Sequence, residues 1–274
     1  MKNHDFHTKK AFGQNFLIDS HVLNKIINAA NVEKDDCVIE IGPGIGGLTE
    51  ELARRAGRVI AVEIDKKLIP ILKETLSDFD NVTILNADIL KTDISQVIND
   101  NSGFKSIKVV ANLPYYITTP IIMEFLEKGY NIDSLTVMVQ KEVAERMRSQ
   151  PSKKEFGSLS LAVQYFSEPT IVANVPQNCF IPRPNIDSAV IHLKVLKEPV
   201  VQVKNVEFMF KVIKFAFAQR RKTLVNCLFN SGMFNMTKEQ IIGVLLKAGF
   251  DSNTRGETLG LSEFAKISDT LLEE

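Results

Sequence analysis

Residues 112–115 read Asn-Leu-Pro-Tyr and follow directly on the apolar run Lys108-Val109-Val110-Ala111. A strand that ends this way can present two oxygen acceptors, the Asn112 side-chain oxygen and the Leu113 main-chain oxygen, to an amino group beside an aromatic ring. The exocyclic amine of adenine is a poor nucleophile because its lone pair is delocalised into the ring. Two carbonyls that draw its hydrogens out of the ring plane improve it, and as preorganised acceptors they favour the positive charge that develops on nitrogen. Pro114 fixes its own φ and keeps Leu113 out of the helical region, so both carbonyls stay aimed. Tyr115 or Tyr116 can then stack on an extruded base. The set suits methyl transfer to adenine; a proline turn after a buried strand is the competing reading of these four residues alone.

A second motif lies upstream. Val38-Ile39-Glu40-Ile41 reads as a short buried strand, and Gly42-Pro43-Gly44-Ile45-Gly46-Gly47 turns it into a helical pattern over 48–55, as in a nucleotide-binding loop. Gly42, Gly44 and Gly47 satisfy the spacing G-x-G-x-x-G, and Glu63 follows a second strand over 59–62, where it can hold ribose hydroxyls. The loop alone does not separate NAD from S-adenosyl-L-methionine. Three details favour the sulfonium compound. Pro43 removes an N–H that a pyrophosphate would use. Glu40 would repel two phosphates but tolerate a cationic methionine moiety. Asp88, after a strand over 82–85, can accept from an adenine amine. Read singly, Glu40 and Asp88 have the competing reading of solvated strand-end carboxylates; with Glu63 they mark successive strand ends of one sheet, where open α/β folds bind ligands.

With these motifs the chain resembles the ribosomal small-subunit RNA adenine dimethyltransferase family, the KsgA type, over about residues 12–264. The resemblance rests on Gly13-Gln14-Asn15-Phe16-Leu17, residues 40–49, Glu63-Ile64-Asp65, residues 112–120, residues 140–147, Phe180-Ile181-Pro182-Arg183-Pro184-Asn185-Ile186-Asp187-Ser188, and Gln219-Arg220-Arg221-Lys222. It implies a Rossmann-like methyltransferase sheet that uses S-adenosyl-L-methionine. Asn15 and Leu17 would contact the cofactor from an N-terminal arm, Gly42 and Gly44 its methionine part, Glu63 its ribose and Asp88 its adenine. Asn112 would stand between cofactor and target, with Leu113, Pro114 and Tyr115 completing the catalytic strand end. Phe180 would form the other face of a base sandwich. The implied partner is 16S ribosomal RNA in the assembling small subunit, and the expected form is a monomer. Asn86-Ala87 before Asp88 and Ile186 before Asp187 depart mildly from the family's pattern and touch no group that carries chemistry. The related erythromycin-resistance methyltransferases of large-subunit RNA share the cofactor motifs, but residues 115–120 and 140–147 look more like the ribosome-assembly branch. A non-enzymatic RNA-binding assembly factor is a further alternative, set against the intact set Glu40, Gly42, Glu63, Asp88 and Asn112. A dehydrogenase would leave residues 112–115 unexplained.

These residues need a scaffold, and 274 residues with 45% hydrophobic content can bury one large α/β domain and a smaller one. Strands near 38, 59, 82, 109 and 135 alternate with helices, which predicts a parallel sheet. Residues 159–166, 171–175 and 189–195 are expected to add later strands. A break at Lys197-Glu198-Pro199 sets the expected domains at 1–197, the Rossmann-like part, and 198–274, a helical RNA-binding part. The latter reads as three helical patterns: 206–229, 237–248 with the capping box Thr237-x-x-Gln240, and 262–272. Cys37, Cys179 and Cys227 are isolated and no apolar N-terminal leader is visible, which points to a reducing cytoplasm and no structural metal. No apolar run is long enough to span a bilayer.

Net charge is zero, so an RNA enzyme must concentrate its cations locally. Residues 1–190 hold 21 Lys and Arg against 24 Asp and Glu, whereas 191–274 hold 12 against 9. Candidate patches are Lys9-Lys10, Arg54-Arg55 with Arg58, Arg146 and Arg148 with Lys153-Lys154, and Arg220-Arg221-Lys222. The last is the strongest RNA-binding candidate, its competing reading being ion pairs with acidic residues. The segment 2–10 is expected to be mobile, and 14–17 to close over the cofactor.

Overall fold

The computed structural model describes residues 16–274. The strands are β1 (Phe16–Leu17), β2 (Asp36–Ile41), β3 (Arg58–Glu63), β4 (Val82–Asn86), β5 (Ser106–Asn112), β6 (Ser134–Gln140), β7 (Ser167–Val175), β8 (Phe180–Ile181) and β9 (Ser188–Val195). The helices are α1 (Ser20–Ala30), α2 (Gly47–Arg55), α3 (Ile69–Thr75), α4 (Ile94–Asp100), α5 (Thr118–Glu127), α6 (Lys141–Arg148), α7 (Ser158–Phe166), α8 (Val206–Ala218), α9 (Leu224–Asn230), α10 (Lys238–Lys247) and α11 (Leu261–Leu271). Among the described residues no helix is long and apolar enough to cross a membrane.

Seven strands form one sheet in the order β4-β3-β2-β5-β6-β9-β7, and β1 pairs antiparallel with β8 in a separate ribbon. The five strands from β4 to β6 run parallel, and β9 pairs antiparallel with β6. This is the α/β Rossmann-like sheet expected from the alternating pattern. β2 and β5 are buried in near-continuous apolar runs, as sheets covered on both faces require. Successive strands lead away from β2 on one side and from β5 on the other, so the order reverses between these two strands. That crevice at their carboxyl ends is where such folds take ligands.

The opposite ends of the same two strands are tied by a buried ion pair. Lys108 Nζ lies 2.6 Å from Asp36, with side-chain exposures of 12% and 2%. Asp36 also accepts from Ser106 Oγ at 2.7 Å and the Glu33 amide at 2.8 Å. Burial pushes the Asp36 carboxyl up, but Lys108, Ser106 and Glu33 together more than reverse this and leave it below its ordinary value.

The described residues divide into two compact units, one of residues 16–144 and 168–195, the other of 145–167 and 196–274. The second unit therefore differs from the expected 198–274. Phe156, Leu161 and Tyr165 are buried in one apolar cluster with Met209, Val212 and Phe264, which is why this segment belongs with the later helices.

Two local expectations are corrected. Residues 159–166 form helix α7, not a strand. Their alternating apolar pattern hides two polar groups one turn apart: Ser160 Oγ donates to the Arg146 carbonyl, and Gln164 Nε2 donates to the carbonyls of Met147 and Ser149 at 2.9 and 2.8 Å. Both serve the unsatisfied carbonyl end of α6, which only a helical spacing allows. The expected single pattern over 206–229 is two helices, broken at 219–223, with Thr223 capping α9. The second unit thus holds four helices from residue 206 onward where three were expected. The Thr237–Gln240 capping box is present, with both reciprocal bonds, at 2.7 and 3.3 Å.

Removing Asp36 leaves an uncompensated cation in a nearly closed site, so Asp36→Ala should lower stability by about 3–5 kcal/mol. Urea unfolding at neutral pH checks this, and a loss below about 1 kcal/mol would mean the pair is solvated.

Candidate functional site

One cavity opens at the carboxyl ends of the parallel strands, at the reversal between β2 and β5. It is lined by Glu40, Gly42 and Gly44 after β2, Glu63 at the end of β3, Asp88 after β4 and Asn112 to Tyr115 at the end of β5. Leu17 from β1 and Phe180 from β8 complete its wall. Of the residues singled out in the sequence for cofactor and catalysis, all but Asn15 are gathered here. Asn15 and the arm over 2–10 lie outside the described residues.

The register explains the convergence. Ile41 pairs with Ala111, so the next residues, Gly42 and Asn112, stand side by side. Gly42 has φ +70°, and a β-carbon there would lie 3.8 Å from the Asn112 carbonyl oxygen. A larger residue would be both strained and directed at the end of β5. The Gly42 amide donates to the Val62 carbonyl at 3.0 Å, which sets the turn against β3.

Glu63 is 2% exposed and already accepts two backbone bonds, from Gly44 at 3.3 Å and Asp65 at 2.8 Å. One bond on each oxygen leaves further lone pairs for a ligand. Asp88 caps the turn after β4 by accepting from Leu90 at 3.1 Å, while its other oxygen lies 3.7 Å from Lys91 Nζ.

Glu40 is the anomaly. It is 1% exposed, and both its Oε2 and the nearby Thr49 Oγ1 are buried without a hydrogen-bond partner. Burial, reinforced by the Glu63 carboxylate and only partly opposed by the Thr49 hydroxyl, pushes its pKa up to about 8. Burial likewise raises Glu63 above its ordinary value. Among the described lining residues there is no Lys, Arg or His. Such a pocket lacks positive charge and is suited to a ligand that brings it.

On the catalytic side the Pro114 carbonyl accepts from the Ile117 amide and from Thr118 Oγ1, each at 3.1 Å, so the turn runs into α5. Tyr115 is half-buried and its hydroxyl lies 2.7 Å from Ser188 Oγ, while Tyr116 is 65% exposed. Burial raises the Tyr115 phenol above its ordinary value. Phe180 is only 3% exposed and packs in the apolar cluster with Val22, Ile26 and Val175, so it is as much core as wall. Its backbone is held by pairing with Leu17. Thr49 and Ser188 each end a motif quoted above without a role of their own; only the folded chain sets Thr49 beside Glu40 and Ser188 against the Tyr115 hydroxyl.

The expected RNA-binding run sits in the second unit, at the break between α8 and α9. Arg221 and Lys222 are exposed. Arg220 is engaged: its Nε lies 2.7 Å from Glu257 Oε2, and its guanidinium donates to the carbonyls of Lys153 and Lys154.

A family model described as ribosomal RNA adenine dimethylase matches residues 5–266. The ribosomal RNA small subunit methyltransferase A of Lachnoclostridium phytofermentans is 56% identical over 275 residues, covering 100% of this chain and 95% of the relative. Among solved structures, a dimethyladenosine transferase from Plasmodium falciparum superimposes with a TM-score of 0.76 at 26% identity, over 92% of this chain and 95% of the other. The 23S rRNA methyltransferase ErmE does so with 0.69 at 25% identity, over 94% and 99%.

The folded state keeps the Glu40 proton up to about pH 8, while the unfolded chain releases it near the ordinary 4.5. Stability from that proton is complete below the lower value and lost as pH rises through the upper one. Glu40→Gln should therefore leave the ligand-free melting temperature unchanged at pH 4 and raise it at pH 8.5. Equal differences at both pH values would contradict the assignment.

Proposed function

The chain belongs to the ribosomal RNA adenine dimethylase family, and from that premise we propose that it dimethylates the exocyclic amines of adenosines in small-subunit (16S) ribosomal RNA during subunit assembly in the cytoplasm, with S-adenosyl-L-methionine as donor. The observation that carries the donor is the buried, unpartnered Glu40 oxygen in a pocket whose described lining holds three acids and no base. A pyrophosphate would meet repulsion here; a sulfonium with its ammonium group meets complementary charge. The small-subunit substrate is supported by the relative at 56% identity, against 25% for the large-subunit enzyme.

The residues present fit that donor. Glu63 would accept from its ribose hydroxyls with the lone pairs left by Gly44 and Asp65, Asp88 from its adenine amine, and Glu40 would face its cationic end. Gly42 and Gly44 let backbone approach closely, and Leu17 covers the apolar side, with Asn15 as a further contact from the arm. When bound, the donor supplies a methyl group on positively charged sulfur.

Activation of the acceptor falls to β5. The Asn112 side-chain oxygen and the Leu113 main-chain oxygen accept the two hydrogens of the adenine amine in the first transfer, and one of them accepts the single hydrogen left for the second; this pulls the lone pair out of conjugation, and each transfer ends with loss of one N–H proton to water. Both are acceptors fixed in advance, so the charge developing on nitrogen is met without reorganisation. Pro114 and its two hydrogen bonds hold the turn. The Tyr115 ring, pinned through its hydroxyl to Ser188, gives the base a face to stack on, with Phe180 as the opposite wall.

Asn112→Ala should lower the single-turnover rate of methyl transfer on saturating small subunits by about 10²–10³-fold, with little change in RNA affinity. Wild-type turnover in this variant would overturn the amine-polarising role.

A further inference from the structure

The Arg220 guanidinium is committed inside the second unit, yet it belongs to the most basic run of the chain. Its Nε binds Glu257 at 2.7 Å, its Nη2 donates to the Lys153 carbonyl at 2.8 Å, and its Nη1 donates to the Lys154 carbonyl. One planar group thus joins the turn over 219–223 to the loop over 149–157 and to the segment carrying Glu257. The loop has further anchors. Ser152 N donates to the Glu257 carbonyl at 2.8 Å, and Phe156, 2% exposed, packs edge-on against Phe217 with ring centroids 5.8 Å apart. Lys153, Lys154, Arg221 and Lys222 all remain exposed around this junction.

We propose that Arg220 is a positioning residue that clamps the 149–157 loop to the 219–223 turn, so that Lys153, Lys154, Arg221 and Lys222 form one phosphate-binding surface for structured RNA. Two patches that are separate in sequence become one. Arg220 donates to oxygens of the protein rather than of RNA, and it neutralises Glu257, which would otherwise set a negative charge at the junction. Its role depends on shape as well as charge: Nε, Nη1 and Nη2 reach a carboxylate and two carbonyls from three points of one plane, a spread that the single nitrogen of an ammonium does not reproduce. Each phosphate neutralised by a cation releases counterions, so the size of the surface is readable from the salt dependence of binding. The identity of the RNA rests on the proposed function; the clamp rests on the bonds above.

The test uses the full chain and small ribosomal subunits from cells lacking the protein, with affinity measured from about 50 to 200 mM salt. Lys153→Gln with Lys154→Gln should flatten the slope of log affinity against log salt by about 2 units. Arg220→Lys preserves charge and should flatten it similarly, and adding it to the double variant should change little more. Glu257→Gln makes the protein more positive, so a simple charge count expects tighter binding, whereas the clamp expects weaker binding and a shallower slope. An unaltered slope in the double lysine variant, tighter binding by Glu257→Gln, or a wild-type slope in Arg220→Lys with effects that add to those of the lysines would each overturn the proposal. Methyl transfer by the wild type is followed on the same particles: transfer with unaltered variant slopes refutes only the clamp, and no transfer refutes the proposed function.

Discussion

The pairing of β2 with β5 is the constraint on which the site depends. Both strands lie inside the sheet, and a register slip of one residue would exchange the side chains on its two faces and part Asp36 from Lys108, the ion pair that fixes the same register from the amino-terminal side. With Ile41 opposite Ala111, Gly42 meets Asn112 at the other end. The glycine-rich turn after β2 and the end of β5 are therefore set by one parallel ladder, not by two loops that must find each other. This is the rigidity that preorganised acceptors require.

The same ladder creates the pocket's electrostatic tension. Glu40 occupies a position where parallel sheets hold apolar side chains, and Glu63 ends the adjacent strand, so burial and the Glu63 carboxylate together raise the cost of ionising Glu40. In the ligand-free pocket Glu40 keeps its proton through neutral pH.

Much of this was legible in the sequence because the chemistry sits at strand ends. Gly42, Glu63, Asp88 and Asn112 each follow an apolar run, and in a parallel sheet such positions converge on one edge. The helix α7 and the break before α9 were not legible, for a common reason. Ser160 and Gln164 answer carbonyls of α6, and Arg220 answers carbonyls of residues 153 and 154 and the Glu257 carboxylate. None of these partners can be inferred from the periodicity of the segment itself. Phe180, implied as one face of a base sandwich, lines the cavity and is also buried in an apolar cluster with residues of α1 and β7, elements distant in sequence whose packing its own segment does not reveal.

The most direct test of the central claim is mass spectrometry of ribosomal RNA from cells with and without the protein. Adenosines carrying two methyl groups on the exocyclic amine should occur in small-subunit RNA only when the protein is present, and should be restored by adding protein and S-adenosyl-L-methionine to subunits from cells lacking it. The same dimethyladenosine content in both cell types, or a difference confined to large-subunit RNA, would contradict the account.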